Sequence, residues 1–146
     1  MSCYCTLHIN STAHAQLPAD LFLAKSLRNF SFTDNESAER RARRARLSAQ
    51  GINARPNLPR YWWQMDTDGI VDGTDIHAHV YWLLAQLKKG RLLCELAAHG
   101  YEYWLSVYWG GNGTGGGPLI TRETIEMLKL HDTQMGISFY YKDGSS

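Results

Sequence analysis

Nucleophilic chemistry needs a serine or cysteine beside a histidine that can take its proton. Two pairs in this chain meet that requirement formally, Cys94 with His99 and Cys5 with His8. Cys94 lies between leucines in LLCEL, the setting of a small core residue rather than of an activated thiol. His77 and His79 form a His-x-His on an expected helix. Residues two apart on a helix point in different directions, so the pair is poorly placed to share one metal. The acidic run Asp66, Asp68, Asp72 and Asp75 stands just upstream. It lacks the Gly and Glu at the offsets a calcium loop requires, and reads as a turn leading to a helix cap. The stretch GGNGTGGGP lacks the Lys-Ser/Thr ending of a phosphate loop and the strand–GxGxxG–helix setting of a dinucleotide site. It reads as a flexible connection. The expectation is no catalytic set, no metal and no cofactor.

Binding chemistry is better represented. Arg40, Arg41, Arg43, Arg44 and Arg46 crowd one short segment, and spacings of three and four place Arg40, Arg43 and Arg44 on a shared side of a helix. Such a cluster suits phosphates or an acidic protein surface; its other reading is a solvated helix face. Aromatics are abundant from Tyr61 to Trp109. Trp62 and Trp63 alternate along an expected strand and cannot both face inward, so one is expected outside. Exposed Trp and Tyr dominate interface hot spots, and they also stack on single-stranded nucleic acid. The residues expected at a partner surface are Arg40, Arg43, Arg44, Trp62, Trp63, Asp66, Asp68, Asp72 and Tyr108.

Whole-chain properties narrow the class. The 146 residues are 44% hydrophobic and 20% charged, which suits a single domain with a true core. A formal charge of +1 gives no global field for nucleic acid or membrane, although seven of the fifteen basic residues fall between Arg40 and Arg60. No apolar run reaches about 18 residues, and no signal peptide is evident. Three cysteines, Cys3, Cys5 and Cys94, form no disulfide framework; reduced thiols in a cytoplasm are expected.

The elements that must position these residues follow from periodicity. Cys3–Ile9 alternates as a strand, and Leu17–Asn29 reads as a helix with Pro18 in its first turn. Phe30 and Phe32 can begin a short strand. Asn35–Gln50 reads as a peripheral helix, capped by Asn35 or Ser37 and stopped by Gly51. Asn53–Pro59 is a loop broken by its prolines. Tyr61–Met65 is a strand. Thr74–Lys88 is the clearest helix, capped by Thr74, with a buried stripe of Ile76, Val80, Leu83, Leu84 and Leu87. Leu92–Leu96 gives a short helix closed by Gly100. Tyr101–Trp109 is a strand with large side chains on both faces, which predicts helices on one side and some cover on the other. Gly110–Gly117 is a loop. Thr121 caps a helix to Leu130 with Ile125 and Leu128 inward, and Met135–Tyr141 is the last strand. The fold expected is α+β, an antiparallel or mixed sheet with helices mainly on one face.

A tryptophan strand is followed by TDIHAHVYWLLAQL, then LLCELAAHGYEYWLSVYW, a glycine-rich gap, LITRETIEMLKL and MGISFYY. This order resembles the bacterial family catalogued as domain of unknown function 4279, over Tyr61–Tyr141 and more weakly over Thr6–Asn29. The segment 35–59, with its basic helix, departs from the family pattern, which has a shorter connection there. The resemblance implies a small bacterial α+β protein without established enzymatic activity. It further implies an immunity protein that binds and neutralises a cognate toxin of a polymorphic or contact-dependent system. Two other functions fit the residues: a nucleic-acid-binding accessory protein using the arginine helix, and a small enzyme.

Overall fold

The computed structural model describes residues 2–52, 59–111 and 116–141. It is built on one long strand, β1 (Ser2–Ser11), whose alternation of polar or aromatic with apolar residues leaves one face for a core. Four more strands follow: β2 (Ser31–Asp34), β3 (Tyr61–Asp66), β4 (Glu102–Gly111) and β5 (Met135–Tyr141). They form a single five-stranded sheet in the order β2-β3-β1-β4-β5. All neighbours are antiparallel except β4 and β5, which run parallel. The sheet is therefore mixed and the fold is α+β. A parallel neighbour needs a crossover, which α5 (Arg122–Leu130) supplies.

Register fixes the two faces. Cys5 pairs with Val107, Leu7 with Leu105 and Met65, and Ile9 with Trp63. These residues are all buried, and helix α3 (Ile76–Leu84) lays Ile76, Val80, Leu83 and Leu84 into the same cluster. Each such side chain is worth roughly 1.5–3 kcal/mol over leaving it in water. Leu93 and Leu96 from the short helix α4 (Glu95–Ala98) and its approach close one end. Every helical residue in this core lies on one side of the sheet.

His79 is one of the polar residues buried with the core. It is fully buried, and its Nδ1 stands 2.6 Å from the Thr67 hydroxyl while its Nε2 donates to the Gly73 carbonyl at 2.9 Å. The Thr67 oxygen in turn accepts the Cys5 N–H at 2.9 Å. One imidazole thus ties α3 to β1 and to the turn that follows β3.

Several expectations need correction. The helix expected over Leu17–Asn29 shrinks to α1 (Ala24–Leu27). Leu21–Leu23 is extended instead: Leu23 N–H bonds the Gln86 carbonyl and Lys88 N–H bonds the Leu21 carbonyl, both at 2.9 Å. This long-range pairing buries Leu21 and Phe22 and outweighs local helical spacing. The same pairing stops α3 at Leu84, short of Lys88, yet Leu87 stays buried. Asp75, not Thr74, caps α3, accepting the His77 N–H at 3.0 Å. Helix α2 spans Ala38–Ala49 and is capped by Ser37. Asn35 instead holds the Pro59 carbonyl at 2.6 Å. In α5 the inward residues are Thr124, Met127 and Leu128, whereas Ile125 is 49% exposed. Gly110 and Gly111 belong to β4, not to a loop. Of the two loops expected from composition, 53–58 and 112–115 lie outside the described residues. The remaining strands stand within one or two residues of expectation at their ends, and β5 matches it.

Candidate functional site

The even-numbered positions of β1 point away from the helices. Tyr4 pairs with Tyr108, Thr6 with Ser106 and Asp66, His8 with Trp104 and Gln64. Ser138 and Tyr140 of β5 continue the same face, because Ser138 pairs with Tyr108. None of these residues belongs to the hydrophobic core. They form an open sheet face carrying a groove of about 320 Å³. Among the described residues the groove on this face is lined by strand side chains alone.

The aromatic side chains on it are arranged in two rows. Tyr4 stacks on Tyr108 with centroids 4.7 Å apart, and Tyr108 on Tyr140 at 4.5 Å. Both ring faces of Tyr108 are therefore taken by its neighbours. In the second row His8 stacks on Trp104 at 4.8 Å, with Trp62 tilted against both at about 6 Å. Stacking of this kind holds the rings upright and adds to their burial. The Trp62 indole N–H is buried and has no hydrogen-bond partner among the described residues.

His8 sits at the centre and is held on both sides. Its Nδ1 lies 3.0 Å from the Gln64 amide nitrogen, and its Nε2 lies 2.8 Å from the Ser106 hydroxyl. With the Gln64 amide as donor, Nδ1 accepts and Nε2–H donates to Ser106, which describes a neutral imidazole. Burial pushes its pKa below the ordinary histidine value. A histidine with both nitrogens engaged is a positioned surface element rather than a free base.

Charge on the face is one-sided. The strands place Asp66 and Glu102 there, and no lysine or arginine. Asp66 ends β3 beside Tyr4, with Asp68 in the following turn; the Asp68 N–H bonds an Asp66 carboxylate oxygen at 3.1 Å. Neither carboxylate has a cation partner among the described residues. Their influence is visible at Tyr4, whose phenol is pushed above its usual pKa by burial first, then by Asp68, Tyr108, Asp66 and Tyr140.

The residues expected at a partner surface divide into three groups. Tyr108, Trp62 and Asp66 lie on the open face, with Asp68 at its corner. Asp72 is exposed in the turn before α3. Trp63 does not belong at the surface: it pairs with Ile9, is 5% exposed and packs against Tyr101 in the core, with the half-exposed Phe32 ring tilted against it. Strand alternation requires this once Trp62 faces out. Arg40, Arg43 and Arg44 lie on α2, which among the described residues makes no hydrogen bond, ion pair or ring contact with the open face. Arg44 pairs with Glu36 at 3.1 Å and Arg40 donates to Asn35 at 3.3 Å, whereas Arg43 is exposed.

Tyr4, Gln64, Ser106 and Tyr140 were not anticipated. Their signal is the polar and aromatic phase of each strand, opposite the phase of Cys5-Leu7-Ile9; register is needed to bring them together. The formal Cys5–His8 pair does not assemble as such. Cys5 and His8 stand on opposite faces of β1, and burial pushes the Cys5 thiol up to about 12. His77 bonds Thr124 on α5 at 2.9 Å while His79 turns into the core, so the His-x-His residues diverge. Among the described residues no cluster of three potential metal ligands occurs. No described helix is long and apolar enough to cross a membrane.

The chain matches no protein-family model, no curated protein and no solved structure.

Proposed function

We propose that this protein works by binding, as an immunity protein that holds a cognate bacterial toxin and blocks its active site or a surface it needs. The observation that carries the reading is the open sheet face. One face of the five-stranded sheet carries Tyr4, Trp62, Trp104, Tyr108 and Tyr140, outside the hydrophobic core. Upright aromatic side chains on a firm scaffold lose little entropy on binding and make strong anchors. The resemblance over Tyr61–Tyr141 supports the toxin-directed form of the reading. Three free thiols suit action in the cytoplasm.

A second reading rests on α2. Arg41, Arg43 and Arg46 are exposed and have no ion pair among the described residues, so the helix could lie along phosphates. It predicts binding to mixed-sequence RNA or DNA that falls steeply with salt. The protein-binding reading is tested by pull-down with the product of the adjacent upstream gene and by rescue of cells expressing it. Capture and rescue support it. Failure of both overturns it.

A further inference from the structure

The row Tyr140–Tyr108–Tyr4 runs across three strands and ends at carboxylates. In the sheet order, β3 is the neighbour of β1 on the side away from Tyr108. One face of the Tyr4 ring is stacked on Tyr108; the other therefore turns toward the end of β3, where Asp66 and Asp68 stand. An aromatic face beside carboxylates without a cation partner, on strands that place no lysine or arginine on this face among the described residues, is complementary to one kind of group. A planar cation can lie on the ring and donate to a carboxylate at once. Guanidinium fits this better than ammonium, because it is flat, weakly hydrated and carries its donors in a fork. Nucleic acid fits poorly: a stacking platform for it needs cations along the groove, and the central ring here has no free face.

We propose that the Tyr4–Asp66–Asp68 corner of the open face receives an arginine side chain from a partner protein. The proposal rests on the binding reading above and specifies the chemistry of the surface that would be recognised. The partner must carry an exposed arginine, on a segment able to lie across the tyrosine row with its side chain at the β3 end. Asp66 supplies the acceptor, Tyr4 the ring, and the Tyr108 and Tyr140 stack keeps that ring upright.

The test uses the full-length protein and two short peptides that differ only in arginine against citrulline, which has the same shape without the charge. Binding is followed by amide chemical shifts at millimolar peptide. The arginine peptide is expected to move the signals of Tyr4, Asp66 and Asp68, and citrulline to weaken binding roughly 3- to 30-fold. Asp66→Asn is expected to weaken it about fivefold, as for an exposed ion pair. Tyr4→Leu is expected to weaken it without loss of fold, checked by thermal melting. Arg40→Glu with Arg43→Glu and Arg44→Glu should leave it unchanged. Equal response to both peptides, or shifts elsewhere on the molecule, would overturn the proposal. So would oligonucleotide binding at this corner. Concentration-dependent self-association lost in Asp66→Asn would also overturn it, by placing a second copy there. Toxin capture that survives Asp66→Asn and Tyr4→Leu would sink the arginine slot and leave the binding reading standing. Arginine-peptide binding without toxin capture would do the reverse.

Discussion

Replacing Thr67 by valine tests how the acidic corner is held in place. Thr67 is fully buried, and its hydroxyl is the link between the Cys5 N–H and the His79 imidazole. Valine keeps the shape and removes the oxygen. The Cys5 N–H and the His79 Nδ1 are then both left unpaired in the core. Each unsatisfied buried group costs roughly 1–3 kcal/mol, so the substitution should destabilise by about 2–6 kcal/mol. For a chain of this size every kcal/mol lowers Tm by about 2–4 °C; a loss near 3 kcal/mol lowers it by about 6–12 °C. The assay is urea unfolding followed by tryptophan fluorescence, with Thr67→Ser as control. Serine keeps the hydroxyl and should cost only about 1 kcal/mol for the lost methyl. Amide exchange at Cys5 should accelerate in the valine variant alone. If Thr67→Val unfolds within 1 kcal/mol of the parent, or serine is as damaging as valine, the hydrogen-bond chain does not hold this corner.

Other consequences follow from the same packing. Gly110→Ala should destabilise by about 1–3 kcal/mol, seen as a lower urea midpoint. An added Cβ would lie 2.7 Å from the Ser2 hydroxyl and 3.1 Å from the Tyr108 ring, which must both shift. Stability should fall as pH drops below about 6.5, the unfolded histidine value. Burial lowers the pKa of both His8 and His131, so the unfolded chain takes up these protons first and the stabilisation is complete only above that pH. His8→Gln should reduce the change in urea midpoint between pH 7.5 and 5, leaving the share due to His131. Ile125→Glu should change stability by less than about 0.5 kcal/mol, whereas Met127→Glu should cost several times more, because only Met127 packs on the core. Of the three thiols, Cys5 should resist alkylation until the protein unfolds, as its pKa near 12 and complete burial require.

The sequence revealed elements whose signals are local. The stripe Ile76, Val80, Leu83, Leu84 is a helical spacing that reads the same in any context, and the alternation of β4 and β5 set their phases. It misled where a distant partner decides. Leu21-Phe22-Leu23 has helical neighbours, yet it pairs with the segment after α3. Ile125 sits at a spacing that could face in, but Thr124 takes that place through its bonds to His77 and Thr121. For the site, the phase of β3 implied that one of Trp62 and Trp63 lies outside, but not which one. The tyrosine row was illegible because Tyr4, Tyr108 and Tyr140 come from opposite ends of the chain, and only strand order and register stack them. The arginine helix was conspicuous as a charge run, although the sequence cannot show that its contacts leave the open face untouched.

The central claim is that the open sheet face, rather than the arginine helix, is the contact surface. It is tested most directly by measuring the Kd for the captured toxin with two variants whose melting temperatures match the parent. One is Tyr108→Ala with Trp104→Ala, the other Arg40→Glu with Arg43→Glu and Arg44→Glu. Loss of two central aromatic anchors should weaken binding by roughly tenfold or more, and the arginine variant should bind like the parent. Unchanged affinity in the aromatic variant together with loss in the arginine variant would contradict the account.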